Sequence, residues 1–210
     1  FFQKSLNLSK VPSEGTVRQR LDDMQGALDM ILKEESADLV KRHAPQISPC
    51  HGKIVPLDID VSPFDNSRTQ KEGVSCTYKK VDGYAPIFAY LGNEGYLIDA
   101  ELREGKQHCR EGTPEFLREA ITLAKRVTSA PLVVRMDAGN DSLDNLKVCL
   151  QEKAEWLIKR NLRQESVERW VRIAHRVGRM EIPRPGKRVY RGAITAEREG
   201  FEQPFRQVFE

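Results

Sequence analysis

Hydrophobic and polar positions change period several times along the 210 residues. Over 13–43, Val17, Leu21, Met24, Leu28 and Ile31 fall three and four apart, which is one helical stripe. Ser13-Glu14 can start that helix, and prolines 45 and 49 stop it. Residues 1–50 therefore read as a helical N-terminal region. From Lys53 to Ser62 the period drops to two: Leu57, Ile59 and Val61 alternate with Asp58, Asp60 and Ser62. A strand there has one oily face and one acidic face. A polar loop over 66–73 follows. Two apolar runs, 84–92 and 95–105, join through Asn93-Glu94 as a hairpin.

The next segment obeys helix rules, with Thr113 as N-cap, Pro114 at the first turn and Lys125 and Arg126 in the last. Phe116, Leu117, Ala120, Ile121, Ala124 and Val127 give it a wide apolar face. Residues 130–141 read as a buried strand running into a turn, 142–153 as a helix capped by Ser142, and 154–161 as another buried strand. The order is β-β-β-α-β-α-β. A helix between strands calls for parallel pairing and the opening strands for a meander, so the sheet is mixed and flanked by helices. Residues 51–165 form that core. Residues 166–210 begin with a helix over 167–177 and end in an alternating, β-like stretch.

Composition narrows the function classes. No apolar run approaches the ~20 residues that cross a bilayer. The cysteines (Cys50, Cys76, Cys109, Cys149) contain no C-x-x-C pair, which disfavours a zinc site and makes a reduced cytoplasmic setting the default. The chain opens on Phe1 and stops without a polar tail, so it reads as a central piece of a longer protein. Net charge is +3 overall, yet residues 157–191 hold 11 Lys/Arg against three Glu, leaving the rest at −5. Such asymmetry fits a polyanion partner. On the helix, Arg169, Arg172, Arg176 and Arg179 are expected on the face opposite Trp170, placed to follow phosphates. Lys159 and Arg160, at the end of a core strand, extend that basic surface. For any single arginine, an ion pair or a solvated face is the alternative.

Two strands end in acid, the first at Asp60 and the fourth at Asp137. If those strands lie parallel and adjacent, their carboxylates meet at one edge. Two close carboxylates repel unless a cation lies between them. Hard divalent ions prefer such oxygens and keep several waters. Two ions ~3.5–4 Å apart serve phosphodiester chemistry.

The chain also resembles a known family. The "DVS" setting of Asp60, the run "KEGVSCTYKKVDGYAPIFAYLGNEGYLIDAELREGKQH", "GTPEFL", "LVVRMDAGNDSLDNL" and "WLIKRN" resemble DDE transposases of bacterial insertion sequences. The branch is the one whose strands read R-x-G-x-x-H and R-x-D-x-G, distantly similar to piggyBac transposases. The likeness covers residues 53–165 closely, and "VPSEGTVRQRLD" looks like the family's helical N-terminal region. It implies an RNase H-like core and a β-rich insertion begun by 166–210. It also implies a transposase that nicks element ends hydrolytically, then joins the freed 3′-hydroxyl to a second phosphodiester. Asp60 and Asp137 match the first two carboxylates of the triad, holding two Mg²⁺ ions, with Mn²⁺ as a substitute. The implied partners are terminal-repeat and target double-stranded DNA, bound as a homodimer in the bacterial nucleoid. The third carboxylate is a glutamate on a helix beyond the insertion. Glu197, Glu199, Glu202 and Glu210 do not sit in such a helix, so this piece is expected to be inactive alone. Ala138 stands where the family more often has serine.

Two rival readings remain at this level. "LDIDVS" also looks like the first motif of haloacid-dehalogenase phosphatases, with Asp58 as nucleophile and Asp60 as acid/base, and "DAGND" like their late motif. That family needs its acidic strand inside a parallel sheet, whereas hairpin signals follow it here. The other rival is a non-catalytic, transposase-derived DNA-binding remnant.

Overall fold

The computed structural model describes residues 9–44, 46–50, 52–162 and 165–210; Pro45, His51 and Arg163 lie outside them. The N-terminal stripe forms two helices rather than one, α1 (Glu14–Asp23) and α2 (Gln25–His43). Ser13 caps α1, its hydroxyl accepting from the Thr16 N–H at 3.2 Å. Met24, at φ −105° and ψ 5°, leaves helical geometry between them, and Gly26 beside it weakens helix continuity. The stripe is not core: Leu21 is 53% and Ile31 47% exposed. The helix α2 instead packs through Ala37, which is fully buried.

The acidic strand is β1 (Val55–Val61). The polar loop over 66–73 is flanked by two short strands that the sequence did not show, β2 (Phe64–Asp65) and β3 (Ser75–Cys76). The apolar run 84–92 is divided at Ala85-Pro86 into the end of β4 (Asp82–Tyr84) and β5 (Ile87–Leu91). Proline lacks the N–H that would continue a ladder. A three-stranded sheet, β2-β4-β3, results beside the main one. The hairpin partner of β5 is β6 (Tyr96–Glu101).

The amphipathic α3 (Thr113–Val127) begins one residue earlier than its capping pattern indicated. Gly112, at φ +71°, is the cap residue. The Thr113 hydroxyl is spent elsewhere, donating to the Cys109 carbonyl at 2.5 Å and accepting from Arg103 at 2.9 Å. After it come β7 (Leu132–Met136), a 3₁₀ turn (Ala138–Asn140), α4 (Leu143–Gln151) and β8 (Glu155–Ile158). Ser142 caps α4 as expected, accepting from the Asn145 N–H at 3.2 Å.

The main sheet runs β6-β5-β1-β7-β8. Strand β1 is antiparallel to β5 and parallel to β7, and β7 is parallel to β8. Its first and fourth long strands are therefore neighbours, the RNase H-like arrangement. Leu57, Ile59, Val134 and Leu91 bury on one face against Phe116, Leu117 and Ile121 of α3 and Val148 of α4. The opposite face carries Asp58, Asp60 and Arg135. Strand β8 is not the buried strand its composition indicated: it is the sheet's outer strand, and Leu157 is 55% exposed.

Beyond the core lie α5 (Val167–Val177), β9 (Arg179–Arg184), β10 (Lys187–Ala196) and β11 (Phe205–Phe209). The three strands form their own antiparallel sheet, β11-β10-β9. Trp170 and His175 of α5 meet Phe209 and Tyr190 of that sheet, with ring centroids 6.4 and 4.5 Å apart. Arg179 thus starts a strand and does not continue the helical stripe. Among the described residues no helix is long and apolar enough to cross a membrane.

Candidate active site

Asp58 pairs with Arg135 in the parallel β1–β7 register. Asp60 and Asp137 each stand two residues further along, on the same face and at the same end. Both are exposed and both line one cavity of about 500 Å³. Each is held locally. Asp60 Oδ2 accepts from the Ser62 hydroxyl at 3.1 Å, which gives the D-x-S spacing its physical role. Asp137 Oδ1 accepts from the Gly139 N–H and the Asn140 amide, each at 3.0 Å, closing the 3₁₀ turn beneath it. Asn140 is in turn buried, and its carbonyl accepts from Asn145 at 2.9 Å, tying the turn to α4.

Asp58 is committed elsewhere. Arg135 Nε and Nη2 donate to its two oxygens at 2.5 and 2.6 Å. A carboxylate clamped in a bidentate pair is a poor nucleophile. With β5 antiparallel on the other side of β1, the parallel sheet required by the phosphatase reading is absent.

The cavity's far wall is the end of β3 and the turn after it, with residues 105–109, features the sequence did not reveal as part of the site. Tyr78, Lys80, Lys106 and His108 line it opposite the aspartates. Partial burial, then Asp60 and Asp137, push the Tyr78 phenol above its ordinary range. The R-x-G-x-x-H segment builds this wall. Arg103 is 3% exposed, bonded to Glu101 at 2.5 Å and Thr113 at 2.9 Å, and its guanidinium lies 5.8 Å from the Phe116 ring centroid. It is thus an internal strut. A Cβ on Gly105 would sit 2.1 Å from the Ser75 carbonyl and 2.4 Å from that of Gly83, so only glycine lets the backbones meet.

The basic residues separate into two groups. Lys159 is exposed and lines a second cavity of about 560 Å³ with Asp58, Arg135 and Asp137. Arg169, Arg172, Arg176 and Arg179 are exposed. Arg160, in contrast, is occupied by protein carboxylates: Asp141 at 3.0 Å and Glu165 at 2.5 Å. Asp141 also accepts from Arg198 at 2.5 Å and the Asn161 N–H at 2.9 Å. Burial acts to raise Asp141, but these donors outweigh it and hold the carboxyl below its usual range.

The paired carboxylates fit a hard divalent cation, which takes one or two carboxylates together with water and substrate phosphate. Among the described residues no three His, Cys, Asp or Glu side chains are grouped to hold an ion. Glu197, Glu199 and Glu202 fall between β10 and β11, and Glu210 pairs with Arg191 at 2.9 Å.

Comparison with known proteins places the chain in a family. No curated protein matches the chain. Among solved structures it is similar to a piggyBac transposase in a synaptic complex with hairpin DNA. Identity there is 15% over 75% of this chain and 36% of that one, with a TM-score of 0.34. It is also similar to Mos1 transposase in a paired-end complex with the left transposon end. Identity is 14% over 82% of this chain and 65% of that one, with a TM-score of 0.33. The chain spans less than two thirds of either structure. The family model for the transposase DDE domain, group 1, matches residues 4–184. With the sheet order and the two strand-end aspartates, that match makes this chain a member of the transposase DDE domain family.

Proposed function

We propose that this chain is the part of a DNA transposase that carries the first two catalytic carboxylates, Asp60 and Asp137. The observation that supports this most directly is their meeting: adjacent parallel strands bring two exposed carboxylates, 77 residues apart in sequence, into one cavity. Such a pair binds Mg²⁺, or Mn²⁺ in its place, and two ions are the proposed complement. The bound metal would activate an attacking oxygen and stabilise a leaving one at a phosphodiester. The chain's own residues then have defined tasks. Asp60 and Asp137 hold the cation, Ser62 and the Gly139 N–H keep them oriented, and Asn140 fixes the turn. Lys159, Arg169, Arg172, Arg176 and Arg179 attract the DNA backbone. The reaction is strand cleavage at element ends followed by strand transfer, with no covalent protein intermediate, by a homodimer assembled on DNA. Among the described residues no third carboxylate joins Asp60 and Asp137, so residues 1–210 alone are proposed to bind metal and DNA without cutting.

The test is Mn²⁺ binding by calorimetry together with transposition in cells. Asp60→Ala and Asp137→Ala should each abolish Mn²⁺ binding at the cavity and stop transposition by the protein containing them. Transposition that survives either change refutes the assignment. Metal-dependent cutting of terminal-repeat DNA by residues 1–210 refutes the need for a third carboxylate.

A further inference from the structure

The turn between β3 and β4 has no assigned role, and it is built to hold two side chains over the aspartates. Thr77, 2% exposed, closes it: its N–H and its hydroxyl both donate to the Val81 carbonyl, at 2.8 and 2.9 Å. The Lys80 N–H donates to the Thr77 carbonyl at 3.0 Å. Tyr78, Lys79 and Lys80 are left at the tip, all exposed, with Tyr78 at 64%. Tyr78 and Lys80 line the same cavity as Asp60 and Asp137.

Three features mark this tip as more than a solvated turn. Lys80 has φ +63°, a left-handed conformation that glycine adopts freely and lysine does not. Its presence there places a cation where a turn alone would favour glycine. Among the described residues neither Lys79 nor Lys80 has a carboxylate partner within ion-pair distance. The Tyr78 ring packs into no core and has the Lys79 ammonium 5.9 Å from its centroid. An exposed aromatic flanked by free cations is the combination that binds single-stranded nucleic acid, the ring stacking on a base and the cations neutralising its backbone.

We propose that residues 77–81 form a DNA-gripping finger, with Tyr78 stacking on an unpaired base beside the phosphodiester that a cation at Asp60 and Asp137 would position, and Lys80 neutralising the adjoining phosphate. This rests on the reading of that cavity as a transposase site. The wall is braced for such a load: Gly105 lets the finger's sheet lie directly on the core, and the Lys106 N–H donates to the Ser75 hydroxyl at 2.9 Å.

The experiment uses residues 1–210 and a duplex with a frayed end that carries 2-aminopurine at the unpaired position, read by fluorescence quenching and anisotropy. Wild type and Tyr78→Phe should quench. Tyr78→Ala should lose the quench and bind frayed DNA about tenfold more weakly, with fully paired DNA affected less than twofold. Lys80→Gly should melt at the same or a higher temperature, since it relieves the positive φ, yet lose about one unit from the salt slope of binding. Quenching and affinity unchanged in Tyr78→Ala, or a salt slope unchanged in Lys80→Gly, overturns the finger alone. Absence of any DNA binding by the wild type overturns the reading of the cavity and the finger with it.

Discussion

Asp58 and Arg135 face each other across the parallel β1–β7 pairing and share two short hydrogen bonds, at 2.5 and 2.6 Å. The pair separates two neighbouring aspartates into different jobs: Asp58 is neutralised by protein, while Asp60, two residues on, has no cationic partner among the described residues. Both members of the pair are over a third exposed, so screening limits its worth to about 1 kcal/mol. Asp58→Ala should lower the melting temperature by about 2–4 °C and leave Mn²⁺ affinity within about twofold. Thermal melts and calorimetry check both halves. Loss of Mn²⁺ binding in Asp58→Ala would make it a ligand, contrary to its place here.

A buried carboxylate sets a pH dependence far from the site. Asp99 on β6 is 3% exposed, and neither oxygen has a hydrogen bond among the described residues. Burial pushes its pKa up to about 6, against the pull of the Lys33 ammonium 3.6 Å away on α2. Burial also acts to depress Lys33, but its bond to Glu119 at 2.9 Å, with Asp99 and Asp29, raises it instead. For Asp99 the folded state holds the proton more tightly than the unfolded one. Its contribution to stability is therefore full below pH ~4 and is lost as pH rises through about 6. The total is roughly 2–3 kcal/mol. Urea unfolding between pH 4 and 8 should show that decline, and Asp99→Asn should flatten it. Lys33→Met, by removing the nearby cation, should move the Asp99 midpoint above 6. An unchanged slope in Asp99→Asn would assign the dependence to another group.

Gly105 is the hinge between sequence motif and site wall. A methyl group there has no room between the Ser75 and Gly83 carbonyls, both backbone and neither able to yield cheaply. Gly105→Ala should cost about 1–3 kcal/mol and fall chiefly on the β2-β4-β3 sheet, leaving the main sheet folded. Limited proteolysis should then cut within residues 64–84 faster than in wild type. Cleavage confined to the termini, with wild-type DNA affinity, would show that the wall tolerates displacement.

What could be read from the sequence, and what could not, divides along physical lines. Asp60 and Asp137 were legible because β1 alternates cleanly and β7 ends abruptly at its acid, so period and position placed both carboxylates at strand ends. The apolar face of α3 was legible for the same reason. The β2-β4-β3 sheet was not: strands of two and three residues are too short to show a period. The burial of Arg103 depends on Glu101, Thr113 and Phe116 converging on it, which no local pattern records. Leu21 and Ile31 repeat with helical spacing yet are exposed, since periodicity shows that a face exists and not what covers it. Arg179 followed the helical stripe on paper, but Val177 is the last helical residue and Gly178 turns the chain into β9.

The two groups of arginines give the last expectation. Arg160 spends its guanidinium on Asp141 and Glu165, whose side chains are 6% and 18% exposed. Removing it leaves those carboxylates short of a partner, although Arg198 still holds Asp141. Arg160→Ala should therefore cost about 2 kcal/mol of stability. The loss should be full above pH ~4 and shrink as pH falls below it, where the Asp141 carboxyl, held below its usual range by these donors, takes up its proton. It should leave the salt dependence of DNA binding unchanged. Arg172→Ala and Arg176→Ala remove exposed charges from α5 and should do the reverse: melting within about 1 °C of wild type, but a salt slope reduced by about one unit each. Anisotropy titrations from 50 to 200 mM salt, run beside thermal melts, separate the two behaviours. A slope lowered by Arg160→Ala at wild-type stability would return that residue to the DNA surface and leave Arg198 as the main tie between Asp141 and the C-terminal sheet.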